Sequence, residues 1–371
     1  MAHAEHLFDL TLTEEQRITR ESMRRFAEAE IRPISRPADE AAAAPDGFYD
    51  STAALGLSLL AIPEALGGAG MGRAPIANAL AAEDLAYGDM SLAIGALTPL
   101  GFINTVLDHG TEDQQERFLT PLADEKFVAA TIALMEPRAT FEASDLRTTA
   151  RKENGRYILN GEKSMVALGN SARFILVIAQ VDGENTPAAF VVAQGSEGLS
   201  FEKEDFMGLR PLSLQRVQLQ NVVVNEQDRL GGDKPFNLQR LVDLSIIGLC
   251  ATAVGCGQAV LDYVIPYVND RVAFGEPISH RQSVAFMVAN MAIELDAMRL
   301  MVYRAASRAE QGLDFHQQAY LCRVLCAERS MEIGTNGVQL LGGHGFTREH
   351  PVEMWYRNLR AVGILLGVAA V

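Results

Sequence analysis

The stretch that decides the reading is Val338–Val371, VQLLGGHGFTREHPVEMWYRNLRAVGILLGVAAV. Gln339 stands at the end of an amphipathic, helix-like run. Gly342, Gly343 and Gly345 follow, forming a loop whose backbone can approach a ligand closely because no Cβ stands in the way. HPVEMWYRN comes next, and from Ala361 onward the residues are wholly apolar. The stretch therefore joins a helix that closes on a glycine loop to a segment with nothing ionisable in it.

At 371 residues, one large or two to three small domains are expected. Hydrophobic residues make up 48% and charged residues 21%, as in a globular protein with a substantial core. The net charge of −15 argues against a nucleic acid held through its phosphates, and against docking on an anionic membrane. No run of about 18 apolar residues is present, so no membrane span is expected. MAHAEHLFDLTLTEEQ lacks the basic and apolar blocks of a secretory signal, and a cytoplasmic location follows. Cys250, Cys256, Cys322 and Cys326 all lie in apolar, helix-like stretches. Cys322 and Cys326 share a helix face, but no His or further Cys joins them at ligand spacing. All four are read as small buried hydrophobes, with no metal site.

Periodicity divides the chain into an α+β arrangement of three parts: N-terminal helices (1–125), a β domain (126–232) and a C-terminal helical bundle (233–371). Thr13-x-x-Gln16 and Thr111-x-x-Gln114 are capping boxes that open helices. The first helix is expected to end at Pro33 and Pro37. Further helices are expected over 53–60, 77–86 and 91–107. From Phe127 the pattern shifts to short strands: 157–159, 174–179, 189–193, 199–201, 217–219 and 222–224, at the spacing of a small sandwich or barrel. Asn160-Gly161 reads as a hairpin turn, and Asp182-Gly183 as a loop. Helices resume at Asn237. Val284, Val288, Met291, Leu295, Met298 and Val302 step by four and three residues, the packing stripe of a four-helix-type bundle.

Several phrases carry chemistry. RVAFGEPISHRQ (271–282) offers Arg271, a permanently charged planar cation suited to phosphate, beside Phe274, Gly275 and Gln282. IALMEPRATFEASD (132–145) and NGEKSMVALGN (160–170) are the other two.

Together these phrases resemble the acyl-CoA dehydrogenase family from Leu12 to Arg360. The C-terminal stretch is similar to QxxGGxGY…YPVER…RD followed by EGT; residues 271–282 to RxxFGxPI…Q; 132–145 to YxxTEPxAGSD; and 160–170 to NGxKxWITNG. The resemblance implies a flavoenzyme that desaturates an acyl thioester: a carboxylate takes the α-proton, and FAD receives hydride from the β-carbon. It implies FAD contacts from Arg271, Phe274, Gln282, Gln339, Gly342 and Gly343, part of them across a subunit interface. It also implies a homo- or hetero-oligomer, a dimer or tetramer, that passes electrons to an electron-transfer flavoprotein.

The departures fall at the reacting end. Met135 stands for the flavin-binding threonine, Met165 for the tryptophan, and Ala167 for the residue whose hydroxyl faces the flavin. Neither methionine nor alanine donates a hydrogen bond there. The EGT glutamate, the family's usual base, falls on Leu366, and the alternative base position falls on Ser245. The family arginine near the acyl-CoA is Ile246. Ser144 and Asp243 remain as substrate-side positions, Asp243 on a helix face turned away from the site. The sequence also stops about two dozen residues sooner than typical members. Three functions are compatible with this sequence: an acyl-CoA dehydrogenase with another base, a silent partner subunit of a heteromeric dehydrogenase, and a flavin-free binding protein.

Overall fold

Helices α1 (Glu14–Phe26), α2 (Arg32–Ala41), α3 (Phe48–Ala53), α4 (Leu57–Ala61), α5 (Pro75–Ala86), α6 (Met90–His109) and α7 (Glu112–Leu119) build the first part of the fold. This computed structural model describes residues 12–70 and 73–371, so most of the stretch weighed as a secretory signal lies outside the described residues. Both capping boxes form: the Thr13 and Thr111 hydroxyls accept from the Gln16 and Gln114 N–H groups. Pro33 does not end the first helix. A π-helical turn, Ala27–Ile31, leads straight into α2, which takes up Pro33 as its second residue. Pro37 lies inside α2. The helix expected over 53–60 is split into α3 and α4 at Gly56, which has a φ of +69°.

The middle of the chain forms one seven-stranded mixed sheet: β1 (Ala130–Ala133), β2 (Thr149–Glu153), β3 (Arg156–Ala167), β4 (Phe174–Val181), β5 (Pro187–Ala193), β6 (Leu199–Lys203) and β7 (Leu214–Asn225). Its order is β1-β4-β2-β3-β7-β6, with β5 also on β4. Residues 217–219 and 222–224 belong to the single strand β7. Asn160-Gly161 is no hairpin turn. It lies inside β3 at a register shift against β7, where a Cβ on Gly161 would sit 2.6 Å from Thr148 Cα. The β2–β3 turn is Asn154-Gly155, whose φ values of +50° and +74° suit a type I′ turn. Side chains alternate along β4: Ile175, Val177 and Ala179 enter a core with Tyr157 and Phe190, whereas Leu176 and Ile178 face the helices.

Then come α8 (Leu238–Asp270), the small ribbon β8 (Val272–Ala273) and β9 (Glu276–Pro277), α9 (Gln282–Glu310), α10 (His316–Leu340) and α11 (Val352–Leu359). α8 packs against α5, α9 and α10. Met291, Leu295, Met298 and Val302 of the α9 stripe are buried, each contributing roughly 1.5–3 kcal/mol. By length and composition α6 and α8 could each cross a membrane, but 94% of each apolar window is buried inside this fold.

Candidate functional site

Two cavities hold most of the expected site residues, and they share no lining residue. The first, about 510 Å³, lies where α8 ends, α9 begins and α10 ends. Arg271, Phe274, Gln339, Gly342 and Gly343 all line it. Phe274 and Gly275 form the tight turn of the β8–β9 ribbon, with φ values of +58° and +89°, which leaves the Phe274 ring 95% exposed. The Arg281 guanidinium lies 5.3 Å from that ring. Gly342 has a φ of +58°, and a Cβ on either Gly342 or Gly343 would meet nothing within 4 Å. The two glycines thus bare their backbone to an open cleft. Gln282 begins α9 and is exposed, with its neighbours Arg281 and Ser283 on the cleft wall.

What holds the glycine loop escaped the sequence reading. Tyr263 and Tyr267, one turn apart on α8, pair with His350 Nδ1 at 2.7 Å and His344 Nδ1 at 2.8 Å. The two imidazoles stack with centroids 5.3 Å apart. The Tyr267 hydroxyl also donates to Leu341 O at 3.2 Å. The Tyr-x-x-x-Tyr spacing was the available signal. With two arginines for an anion and open backbone for close approach, the residues lining the cleft suit a diphosphate such as that of FAD.

The second cavity, about 530 Å³, is lined by Met135, Glu136, Ser164, Met165, Glu204, Arg216, Arg323 and Leu366 among others. Met135 and Leu366 meet directly, with Leu366 N–H pointing at the Met135 sulfur at 3.2 Å. Ala167 is fully buried in β3 and lines neither cavity. Glu136 accepts from Arg147 N at 2.9 Å, Thr148 N at 2.8 Å and Lys163 Nζ at 3.2 Å. Burial alone would raise the Glu136 carboxyl, but Lys163 and these N–H groups hold it below its ordinary value. Burial pushes the Lys163 ammonium down to about 8. Glu204 accepts from Ser164 Oγ at 2.9 Å, Met165 N at 2.7 Å and Arg216 Nε at 3.3 Å. Both carboxylates are therefore engaged by donors.

Ser245 is buried on α8, and its Oγ accepts the Gly367 N–H at 2.8 Å. Ile246 is buried as well. Asp243 is paired with His316 at 3.1 Å and Gln239 at 2.9 Å; it lines neither cavity. Burial raises its carboxyl, and His316 opposes the shift. Ser144 is exposed on the loop before β2 and lines neither cavity. The cysteine reading needs one correction. All four are buried, but Cys250 of α8 joins Cys322 and Cys326 of α10, with the three sulfurs within 4.8 Å of one another.

Known proteins share this geometry. Residues 13–126, 131–222 and 238–371 match the N-terminal, middle and C-terminal domains of acyl-CoA dehydrogenase. The chain is 32% identical over 367 residues to a 3-(aryl)acrylate reductase of Clostridium sporogenes, covering 97% of this chain and 96% of that protein. The solved butyryl-CoA dehydrogenase of Megasphaera elsdenii matches with a TM-score of 0.89 at 30% identity, over 96% of this chain and 95% of that one. A structure described as an electron transferring flavoprotein of Acidaminococcus fermentans matches with a TM-score of 0.89 at 29% identity, over 96% and 95%.

Proposed function

Because this chain belongs to the acyl-CoA dehydrogenase family, whose members are FAD-dependent, we propose that it is a FAD-holding subunit that does not itself abstract the substrate proton. It would work as the silent partner in an oligomer with a competent subunit.

The observation that carries this reading is the meeting of Ser245 and Gly367. The two positions where the family's base could stand, Leu366 and Ser245, lie side by side; one is apolar and the other commits its oxygen to a backbone N–H. A positioned base is worth about 10²–10⁴-fold, roughly 3–5 kcal/mol of barrier, and nothing at these positions supplies it. Bound FAD would supply a hydride acceptor. Arg271 and Arg281 would hold its diphosphate, and Gly342 and Gly343 would admit it at close range. Met135 and Met165 would offer an apolar, polarisable wall without donors.

The oligomer is supported by exposed apolar side chains on the C-terminal helices. Phe286, Ile293 and Leu300 recur every seven residues along α9 at 61%, 64% and 49% exposure. Tyr320, Leu321 and Val324 of α10 are exposed as well. The separation of the two cavities within one protomer supports a cofactor shared between subunits. The burial of α6 and α8 within the fold fits a cytoplasmic protein.

Glu204 favours a second reading, a working dehydrogenase or reductase that reduces or reoxidises FAD through an electron-transfer flavoprotein. Its carboxylate lines the cavity with Leu366 and Met165. The test is a spectrum of the purified chain, then anaerobic addition of butyryl-CoA. A yellow protein that does not bleach is expected. Bleaching that Glu204→Gln abolishes would replace the silent reading with the second one.

A further inference from the structure

From Leu366 at the wall of the second cavity, the segment through Val371 runs into the protein between α6, β1 and α8. Val368, Ala369, Ala370 and Val371 are each at most 6% exposed. The segment is neither helix nor strand. Two glycines inside long helices hollow out its bed. A Cβ on Gly248 of α8 would lie 1.7 Å from Ala369 O, and one on Gly101 of α6 would lie 3.3 Å from Ala370 N. On the β1 side, Gly367, with a φ of +80°, passes Leu134. Glycine inside a helix costs roughly 0.5–1 kcal/mol relative to alanine, so the hollow comes at the expense of helix stability.

The fastening is light for so buried a segment. Its shortest hydrogen bond within the groove runs from Gly367 N–H to Ser245 Oγ at 2.8 Å. Val371 N–H reaches Leu244 O at 3.4 Å, Asn104 Nδ2 reaches Ala370 O at 3.5 Å, and Arg73 Nη2 reaches Val371 O at 3.3 Å. The polar surroundings are concentrated at the Val371 end. Arg73 and Arg240 share the carboxylate of Asp108, and Arg73 Nη1 is buried with no hydrogen-bond partner among the described residues. The groove is thus apolar where it meets the cavity and cationic at its far end.

We propose that Leu366–Val371 is a displaceable occupant of this groove, a built-in competitor for an acyl chain carried on an anionic thioester. An apolar acyl chain would replace Val368–Ala370, with its thioester and anionic carrier on the Leu366 side, and a polar or anionic group at the far end of the chain would meet Arg73 and Arg240. The groove then opens only when the segment leaves. This rests on reading the Leu366 side as the thioester end. Flavin bleaching tests the silent-subunit reading separately.

The experiment uses butyryl-CoA as probe on three proteins: the full chain, Gly248→Ala, and a chain lacking 366–371. Gly248→Ala keeps α8 helical, since alanine is the better helix former, while its methyl group excludes Ala369. Binding is read by calorimetry, and segment release by hydrogen exchange at Gly367 and Val371. Two results support the proposal. Either the full chain binds and those two amides exchange at least ten-fold faster with ligand while α8 is unchanged, or a variant binds at least ten-fold more tightly than the full chain. Two results overturn it: binding by the full chain with both amides unchanged, or variants that bind no more tightly than a full chain whose amides also stay protected. If both variants unfold, the exchange measurement on the full chain decides alone, and protected amides at saturating butyryl-CoA overturn the proposal.

Discussion

Ser245 Oγ accepts the Gly367 N–H at 2.8 Å, joining two positions 122 residues apart, next to both sites where a proton acceptor could have stood. Ser245 is 1% exposed, so its oxygen has no water to fall back on. Ser245→Ala should leave the buried Gly367 amide without an acceptor, at a cost of about 1–3 kcal/mol. Urea unfolding should show the loss as a lower midpoint at unchanged slope. Hydrogen exchange should report it locally, with Gly367 exchanging faster than its neighbours in α8.

Arg271 is the second test. It lines the first cavity together with the bare backbone of Gly342 and Gly343. A charge-assisted contact to a diphosphate contributes roughly 1.5–3 kcal/mol, or about 10–100-fold in affinity. Arg271→Ala should weaken FAD binding by that factor, read from quenching of flavin fluorescence on titration with protein. Arg271→Lys should recover only part of it, because a lysine keeps the charge but loses the planar fork. Equal affinity in all three proteins would remove Arg271 from the phosphate site.

Much of this is legible in the sequence, for physical reasons that differ by element. The α9 stripe is readable because Met291, Leu295, Met298 and Val302 each bury, so spacing alone marks the inner face. The cavity residues Arg271, Gln339 and Gly342 are readable because each sits in a phrase of fixed local geometry. Asn160-Gly161 misleads because an identical dipeptide at Asn154-Gly155 makes the turn, and what separates them is the approach of Thr148 from another strand. Cys250 escapes for the same kind of reason: it is 72 residues from Cys322, and only the packing of α8 on α10 unites them. The groove holding Val368–Val371 has no sequence signal beyond apolarity, since Gly101 and Gly248 look like ordinary helix glycines until the segment lies against them.

Lys163 and Glu136 give the third prediction. Lys163 is fully buried; its ammonium donates to Leu134 O at 3.0 Å and to Glu136 Oε1 at 3.2 Å. Replacing it with methionine keeps the bulk but removes the closest cation, leaving the Glu136 carboxylate with two backbone donors and the Arg138 guanidinium at 3.7 Å. Breaking a buried pair on one side costs roughly 3–5 kcal/mol. Lys163→Met should therefore destabilise strongly, and Lys163→Met with Glu136→Gln should recover most of the loss. Thermal or urea unfolding checks this, with the double variant as the control for lost packing.

Asp89 supplies a prediction in pH. It caps α6: Oδ1 accepts from Ser91 N at 2.9 Å and from Leu92 N at 3.0 Å. Its other oxygen is buried with no partner among the described residues, as is the nearby Tyr49 hydroxyl. Burial pushes the carboxyl up to about 6, against an ordinary value of 3.8. Because the folded value lies above the unfolded one, the neutral form is the one folding favours. The contribution is complete below about pH 4 and is lost as pH rises through about 6. A rise of that size corresponds to roughly 3 kcal/mol. Asp89→Asn keeps the capping oxygen and removes the charge. The stability of Asp89→Asn relative to the parent should thus rise by about 2.5 kcal/mol between about pH 4 and pH 7, measured by urea unfolding at each pH. A flat difference across that window would mean that Asp89 stays ionised in the folded protein, with water or Tyr49 serving its second oxygen.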